Sequence, residues 1–252
     1  MGPNTETVDN PYGLMSVWSQ GDFLSRTLVV ILVVMSVATW FITLTKLWDQ
    51  SRLMRQYQQM SKSFWTGSSL RDGLAKLQGK DNIYRGIVEG GLRATEHHEG
   101  RLTDQIPLHE WVTVSLQRTV DQISSRLRSG LSFLATVGST APFVGLLGTV
   151  YGILQALLRI GVAGQASIDK VAGPVGEALI MTAIGLVVAV PAVLFYNWLL
   201  GRNKAILEQV RYFSTDIHSF LISGSRVDAE STTPVAPRPT ATATAAAAAA
   251  RK

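Results

Sequence analysis

The sequence predicts an all-α integral membrane protein with three transmembrane helices and long helical extensions outside the membrane. Three stretches carry no charged residue: 27–45, 129–158 and 178–201. Each is long enough to cross a bilayer, which takes about 20 apolar residues. Only 16% of the 252 residues are charged, against about a quarter in soluble domains. A soluble all-α protein is the alternative, but buried helices rarely combine this length with this lack of charge.

The distribution of charge predicts the orientation of the three helices. Residues 1–26 contain one basic residue and three acids, whereas basic residues outnumber acids thirteen to nine over 46–128 and seven to four over 202–252. Lys and Arg collect on the cytoplasmic side of membrane proteins. We therefore expect the N-terminus to lie outside the cytoplasm, and the large loop over residues 46–128 and the C-terminus to lie inside. The first stretch is not expected to be a cleaved signal peptide, because acidic residues precede it and no small-residue cleavage site follows.

Local patterns divide the chain into eight segments. A short amphipathic helix is expected over residues 12–26 at the outer interface, with a disordered leader as the alternative. Trp40, Lys46 and Trp48 are expected to anchor the first span at the inner interface. In order, the segments are the outer N-terminus (1–26), transmembrane helix 1 (27–47), the cytoplasmic helical domain (48–128), transmembrane helix 2 (129–158), a short outer loop (159–175), transmembrane helix 3 (176–201), a cytoplasmic C-terminal helix (202–230) and a disordered tail (231–252).

The cytoplasmic domain is predicted to be helical with few interruptions. Gly67 and Gly73 are expected to break the polar helix that follows the first span. After Pro107, apolar residues recur at steps of three and four as far as Leu131. This period predicts one uninterrupted helix of more than forty residues that runs into the second span.

The second and third spans each carry a stripe of small residues at alternating steps of four and three, which places each stripe on one helical face. In lipid, small residues allow backbones to approach closely, so the stripes predict tight helix pairs. Packing within one chain and a ring of several chains around a shared axis both fit this pattern. The stripes are Gly138, Pro142, Gly145, Thr149, Gly152 and Ala156, and Ala178, Thr182, Gly185, Ala189 and Ala192.

Three polar residues on or beside the stripes are candidate pore residues. Thr149 and Thr182 carry hydroxyls, although a threonine in a membrane helix often only bonds back to the carbonyl one turn earlier. Glu177 borders the stripe of the third span, and an ionised acid in hydrocarbon costs several kcal/mol. It is therefore protonated, in a wet protein-lined position, or close enough to the outer headgroups to reach them. Pro142 and Pro191 each leave a helical carbonyl without its donor, so kinks are expected.

Several classes of function are disfavoured. The chain has no cysteine, which excludes disulfides, a thiol nucleophile and cysteine metal sites. His97 and His98 are expected in an exposed loop and not at a metal, because adjacent residues on a helix face different ways. No serine with a plausible base, metal box or phosphate loop indicates an enzyme or a cofactor. The positive charge is distributed as expected for the cytoplasmic segments of a membrane protein and does not indicate binding of nucleic acid.

Two motifs resemble a known family. The stretches ATVGSTAPFVGLLGTVYGIL (135–154) and GPVGEALIMTAIGLVVAVPAVLFYN (173–197) are similar to the second and third spans of the ExbB, TolQ and MotA family of inner-membrane motor components, and most similar to ExbB. The predicted orientation, with the N-terminus outside and the large loop inside, also fits this family. Including these features, the resemblance covers roughly residues 12–222. The leader and the tail lie outside it.

The resemblance implies a homopentamer in the bacterial inner membrane, with a periplasmic N-terminus and a cytoplasmic C-terminus. Spans two and three would line a central pore that holds the transmembrane helices of ExbD, and TonB would dock on the complex. Proton flow would then energise TonB-dependent import of siderophores and vitamins across the outer membrane. The family's pore threonines match Thr149 and Thr182, and its pore glutamate matches Glu177, whereas its proton-binding aspartate belongs to ExbD.

Other functions remain open at this point. A TolQ-type subunit would have the same fold and pore residues, but would power envelope constriction through TolR and TolA. MotA is disfavoured, because flagellar stators have four spans. Eight residues are expected to pack the helices together or to line a pore: Gly138, Pro142, Gly145, Gly152, Ala178, Gly185, Ala189 and Pro191. They would fit any of these proteins, and also a membrane scaffold that does not conduct.

Overall fold

The architecture is all-α. A computed structural model describes residues 22–67, 69–77, 79, 81–96, 107–163 and 168–224, and no strand occurs among them. Three helical stretches, Phe23–Thr66, Leu108–Val162 and Val171–Ser223, are long and apolar enough to cross a membrane, which confirms the predicted fold class. The helices are α1 (Phe23–Ser63, followed by a 3-10 turn at Phe64–Thr66), α2 (Leu70–Lys76), α3 (Ile83–Glu96), α4 (Leu108–Arg128), α5 (Leu131–Ala163) and α6 (Ile168–Ser223).

The two longest helices extend well beyond a bilayer. At about 1.5 Å per residue, α1 spans roughly 60 Å and α6 roughly 85 Å, about two to three times the 30 Å hydrocarbon core. Their apolar halves pack with α5 around a small core that includes Leu32, Val137, Met181 and Val188. The outer face of α1 stays exposed and apolar, as expected of a helix that faces lipid.

The polar halves of α1 and α6 form an extramembrane domain with α2, α3 and α4. Its core centres on Phe64, Tyr84 and Phe213, whose rings meet edge to face. The ring centroids of Phe213 lie 5.2 Å from Phe64 and 5.3 Å from Tyr84, within the range in which aromatic pairs add to burial. This core joins distant parts of the chain, so the domain depends on both long helices.

The predicted continuous helix through residues 107–158 is wrong at one point. Ser129 and Gly130 separate α4 from α5, and Gly130 has a φ of +80°. Residues with a Cβ rarely adopt that conformation. A Cβ there would also contact Ile42 Cγ2 at 3.4 Å and Lys46 Cε at 3.7 Å. The break therefore rests on a glycine backbone conformation beside α1, which a one-dimensional periodic pattern does not contain.

Other expected segments are partly matched by the structure or lie outside the described residues. Gly67 follows the 3-10 turn as a break, but Gly73 lies inside α2, where a Cβ would come within 2.8 Å of the Phe64 ring. Helices α5 and α6 extend into the expected outer loop, and Pro174 is accommodated within α6 near its start, where proline removes a single helical hydrogen bond. Residues 12–21, the two histidines and the tail from 231 are outside the described residues.

Replacing Tyr84 by phenylalanine is expected to leave the free energy of unfolding unchanged or to raise it by up to about 1 kcal/mol. Tyr84 is fully buried, and its hydroxyl has no hydrogen-bond partner among the described residues. Burial, with a smaller contribution from Tyr57, raises the pKa of Tyr84. Denaturant unfolding of the purified protein in detergent measures the change, with Tyr84→Ala as a variant expected to lose about 3–5 kcal/mol. A loss above about 1 kcal/mol in Tyr84→Phe would contradict this assignment of the hydroxyl.

Candidate functional site

The two small-residue stripes face each other within one chain. A Cβ on Gly145 would lie 2.8 Å from Met181 O and 3.2 Å from Gly185 Cα. A Cβ on Gly185 would lie 2.7 Å from Ala141 O. Side chains other than hydrogen do not fit at such distances from backbone atoms. The glycines therefore allow the backbones of α5 and α6 to come into direct contact.

The same close packing continues along both helices. A Cβ on Gly152 would lie 2.8 Å from Ala178 Cβ, and one on Gly138 would lie 2.5 Å from Val193 Cγ2. Ala178 and Ala189 are buried, whereas Pro142 and Pro191 are half-buried within their helices. Much of the predicted packing set thus lies at the contact between α5 and α6.

Two residues at this contact were not identified from the sequence. Gly148 is buried, and a Cβ there would lie 2.8 Å from Met181 Cβ. Met181 is 1% exposed and fills the space opposite this glycine. The available signal was a second ladder on α5, formed by Ala141, Gly145, Gly148 and Gly152, which also advances by steps of four and three.

Thr149 and Thr182 meet across the α5–α6 contact. Their hydroxyl oxygens lie within hydrogen-bond distance of each other. Thr149 Oγ1 also lies 3.1 Å from Ala178 O on the opposite helix and 3.3 Å from Gly145 O on its own helix. A hydroxyl has one proton and two lone pairs, so if Thr149 donates to a carbonyl, Thr182 donates to Thr149. The pair forms a short hydroxyl chain between two helices, and not only the local bond back to the preceding turn.

The hydroxyl pair lies at the edge of the helix contact. Both threonines are half-buried, and the adjoining faces of α5 and α6 are exposed in a single chain. Large apolar side chains dominate these faces, among them Leu146 and Val150 on α5 and Leu186 and Val190 on α6. The threonines therefore present the polar atoms of an otherwise apolar exposed surface.

Glu177 lies on α6 directly before the residues that form this site. It precedes Ala178, whose carbonyl oxygen accepts from Thr149 in one arrangement of the protons. The residue is half-buried, but Oε1 is shielded from solvent and has no hydrogen-bond partner among the described residues. A buried carboxyl oxygen without a donor is costly. Glu177 therefore offers an acceptor without a donor among the described residues, one position along α6 before the carbonyl that Thr149 contacts.

No group of three or more His, Asp or Glu residues close enough to hold a metal ion occurs in the described ranges.

Beside the start of α1, Tyr151 donates to Asp22 Oδ2 at 3.2 Å and accepts from Gln155 at 2.8 Å. The first of these bonds ties the start of α1 to α5, and the second, within α5, holds the Tyr151 hydroxyl in place. Neither bond involves the threonine pair.

Comparison with known proteins identifies the family. Residues 80–212 match the model of the MotA/TolQ/ExbB proton channel family. The biopolymer transport protein ExbB of Xanthomonas campestris is 40% identical over 218 residues, covering 83% of this chain and 86% of the relative. ExbB of Neisseria meningitidis is 33% identical over 214 residues, with coverage of 83% and 97%. The Tol-Pal system protein TolQ of Pseudomonas aeruginosa is 30% identical over 226 residues, with coverage of 88% and 96%. This chain therefore belongs to the MotA/TolQ/ExbB proton channel family.

Proposed function

We propose that this chain is an ExbB-type motor subunit of the bacterial inner membrane, which couples the proton motive force to TonB-dependent transport across the outer membrane. Family membership supports a role in proton-driven transport and not in catalysis. Identities of 40% and 33% to proteins named ExbB, against 30% to a TolQ, favour the ExbB assignment. The observation that carries the mechanism is the contact of Thr149 with Thr182 at the edge of the α5–α6 pair.

The proposed assembly is a homopentamer in which α5 and α6 of each chain face a central pore. One chain with three spans cannot enclose a conduit, yet it places two hydroxyls at the edge of an apolar exposed surface. Polar groups inside a membrane usually face a protein or a watery interior and not lipid. Neighbouring copies would enclose this surface, and the transmembrane helices of ExbD would occupy the pore. TonB would dock on the outside of this complex.

The proposed topology puts the N-terminus in the periplasm and the extramembrane domain and C-terminus in the cytoplasm. The excess of Lys and Arg over 46–128 and 202–252 supports this orientation. The start of α1 and the connection between α5 and α6 then lie at the periplasmic face. A proton that enters there would pass the level of Glu177 before it reaches the threonine pair.

The proposed role of Thr149 and Thr182 is to relay protons to and from a carboxylate supplied by ExbD. Each hydroxyl can donate and accept, so a proton can arrive at one oxygen while another leaves its neighbour. No fixed charge is created, which matters because a proton crossing 100 mV releases only about 2.3 kcal/mol. A site that held the proton by more than this would slow its release.

Glu177 is proposed to act at the pore entrance. Its shielded Oε1 has no donor among the described residues, and a proton or a group of the assembled pore would supply one. The Gly and Ala residues of the two stripes have a different task, since they hold α5 and α6 close enough for the two hydroxyls to meet.

Production of this chain with its ExbD partner is expected to restore siderophore uptake in a bacterium that lacks its own ExbB. The Glu177→Ala variant is expected to assemble and to restore less than about a tenth of that uptake, because a positioned proton-transfer group typically contributes at least 100-fold. Restored outer-membrane integrity in a strain that lacks TolQ, without restored uptake, would instead support the TolQ-type alternative. Full uptake by Glu177→Ala would contradict the role given to this carboxyl group.

A further inference from the structure

We propose that Lys46, Gln50 and Asn203 form a polar clamp that holds the break between α4 and α5 in one conformation. The clamp thereby fixes how the extramembrane domain joins the membrane-spanning helices. It involves none of the residues proposed to line the proton pathway. It lies instead where α1, α4 and α6 converge beside Ser129 and Gly130.

The end of α4 creates the need for such a clamp. The last carbonyls of a helix have no intrahelical donor. At the end of α4, Arg126 O accepts from the Lys46 ammonium at 3.0 Å and from the Ser129 hydroxyl at 2.9 Å. Leu127 O accepts from Asn203 Nδ2 at 2.8 Å. Side chains from α1 and α6 thus satisfy carbonyls that the break leaves without helical partners.

The donors are themselves held in place. Gln50 Nε2 lies 2.7 Å from Asn203 Oδ1 and 3.1 Å from Leu199 O. This bond orients the Asn203 amide so that its nitrogen points to Leu127 O. Gln50 is 1% exposed and Asn203 is 5% exposed, so water does not compete freely for these bonds. Gln50 therefore links α1 to Asn203 on α6, and Asn203 in turn links α6 to the end of α4.

The face of α1 that carries the clamp is also the face that touches Gly130. Ile42, Lys46 and Gln50 are spaced by four residues and therefore share one side of the helix. A Cβ on Gly130 would contact Ile42 and Lys46, while Lys46 also donates to Ser129 Oγ at 3.0 Å. One stripe of α1 therefore contacts both the glycine that permits the break and the carbonyls that the break exposes.

A small cavity lies beside the clamp. It has a volume of about 30 Å³ and is lined in part by Lys46, Gln50, Arg126 and Asn203. Gln50 Oε1 is buried and has no hydrogen-bond partner in the described part of the chain. A cavity of this size holds one water molecule, which can donate to Oε1. The amide of Gln50 can then be fully satisfied without another protein group.

Hydrogen exchange of the full-length assembled protein tests the clamp. In Gln50→Leu and Asn203→Leu, the amides of residues 122–129 are expected to exchange about 10-fold faster, because loss of a buried hydrogen bond favours local opening by that order. Matched controls are Gln58→Leu and Lys204→Met, which change exposed residues of the same two helices. Both controls are expected to exchange like the wild type.

Two conservative variants keep the test decisive if the leucine variants fail to assemble. Asn203→Asp retains the acceptor for Gln50 but loses the amide donor to Leu127 O, and is expected to show the same local increase. Lys46→Arg keeps a cationic donor and is expected to exchange more slowly over 122–129 than Lys46→Met. Unchanged exchange over 122–129 in the Gln50 and Asn203 variants, or an equal increase throughout the extramembrane domain, would overturn the clamp. Hydrogen exchange does not depend on transport, so this result is separate from that of the proposed function.

Discussion

Replacing Thr149 and Thr182 together by valine is expected to abolish energised uptake while the amount of assembled protein stays the same. Valine keeps the branched shape but removes both hydroxyls and with them the proposed relay. Loss of a proton-transfer group typically costs 100-fold or more in rate. The structural cost is smaller, since hydrogen bonds between membrane helices average about 0.6 kcal/mol. Siderophore uptake and native mass of the complex, measured on the same cells, separate these two effects.

Two controls show whether the hydroxyls themselves matter. Serine at both positions keeps the hydroxyls and is expected to retain most uptake. Thr45→Val removes a hydroxyl that bonds back to Phe41 O at 2.9 Å on the exposed side of α1, and is expected to have no effect. Normal uptake in the valine double variant would remove the threonine pair from the proton pathway.

The substitutions Gly145→Ala and Gly185→Ala are each expected to destabilise the assembled protein by about 1–3 kcal/mol. In both variants the added methyl group would lie within 2.8 Å of a backbone oxygen of the opposite helix. Backbone atoms cannot move aside as a flexible side chain can, so the two helices must separate. That separation also pulls the hydroxyls of Thr149 and Thr182 apart, and we expect uptake to fall with stability.

Gly201 provides a control of opposite sign. It lies in α6, and no neighbouring atom lies within 4 Å of the position that a Cβ would take there. Alanine is favoured over glycine in a helix by up to about 1 kcal/mol, so Gly201→Ala is expected to be neutral or stabilising. Thermal unfolding of the complexes in one detergent compares the three variants. Equal stability of all three would contradict the direct backbone contact between α5 and α6.

The sequence predicted the membrane-spanning helices well, because the absence of charge over long stretches is a local property with one main physical cause. It also placed Thr149 and Thr182 on small-residue faces, since helical period follows from spacing alone. It did not decide which surface each stripe contacts. In the structure the glycines contact each other within the chain, and the threonines lie at the edge.

The features that the sequence did not predict depend on contacts between distant residues. Gly130 reads as one tolerable glycine in a helical pattern, and neither its positive φ nor its place beside Ile42 and Lys46 follows from apolar spacing. Lys46 was interpreted as a membrane anchor, yet its ammonium caps the end of α4. Gly73 was expected to break a helix, but it lies inside α2, and its role there is to leave room for the Phe64 ring.

Proton flux through liposomes tests the central claim most directly. The chain is reconstituted with ExbD, a pH gradient and membrane potential are imposed, and the internal pH is followed with a trapped dye. The wild-type complex is expected to conduct protons, and the Thr149→Val and Thr182→Val double variant is expected to conduct no more than empty liposomes at the same amount of assembled complex. Conduction by the double variant at the wild-type rate would contradict a proton pathway through the threonine pair.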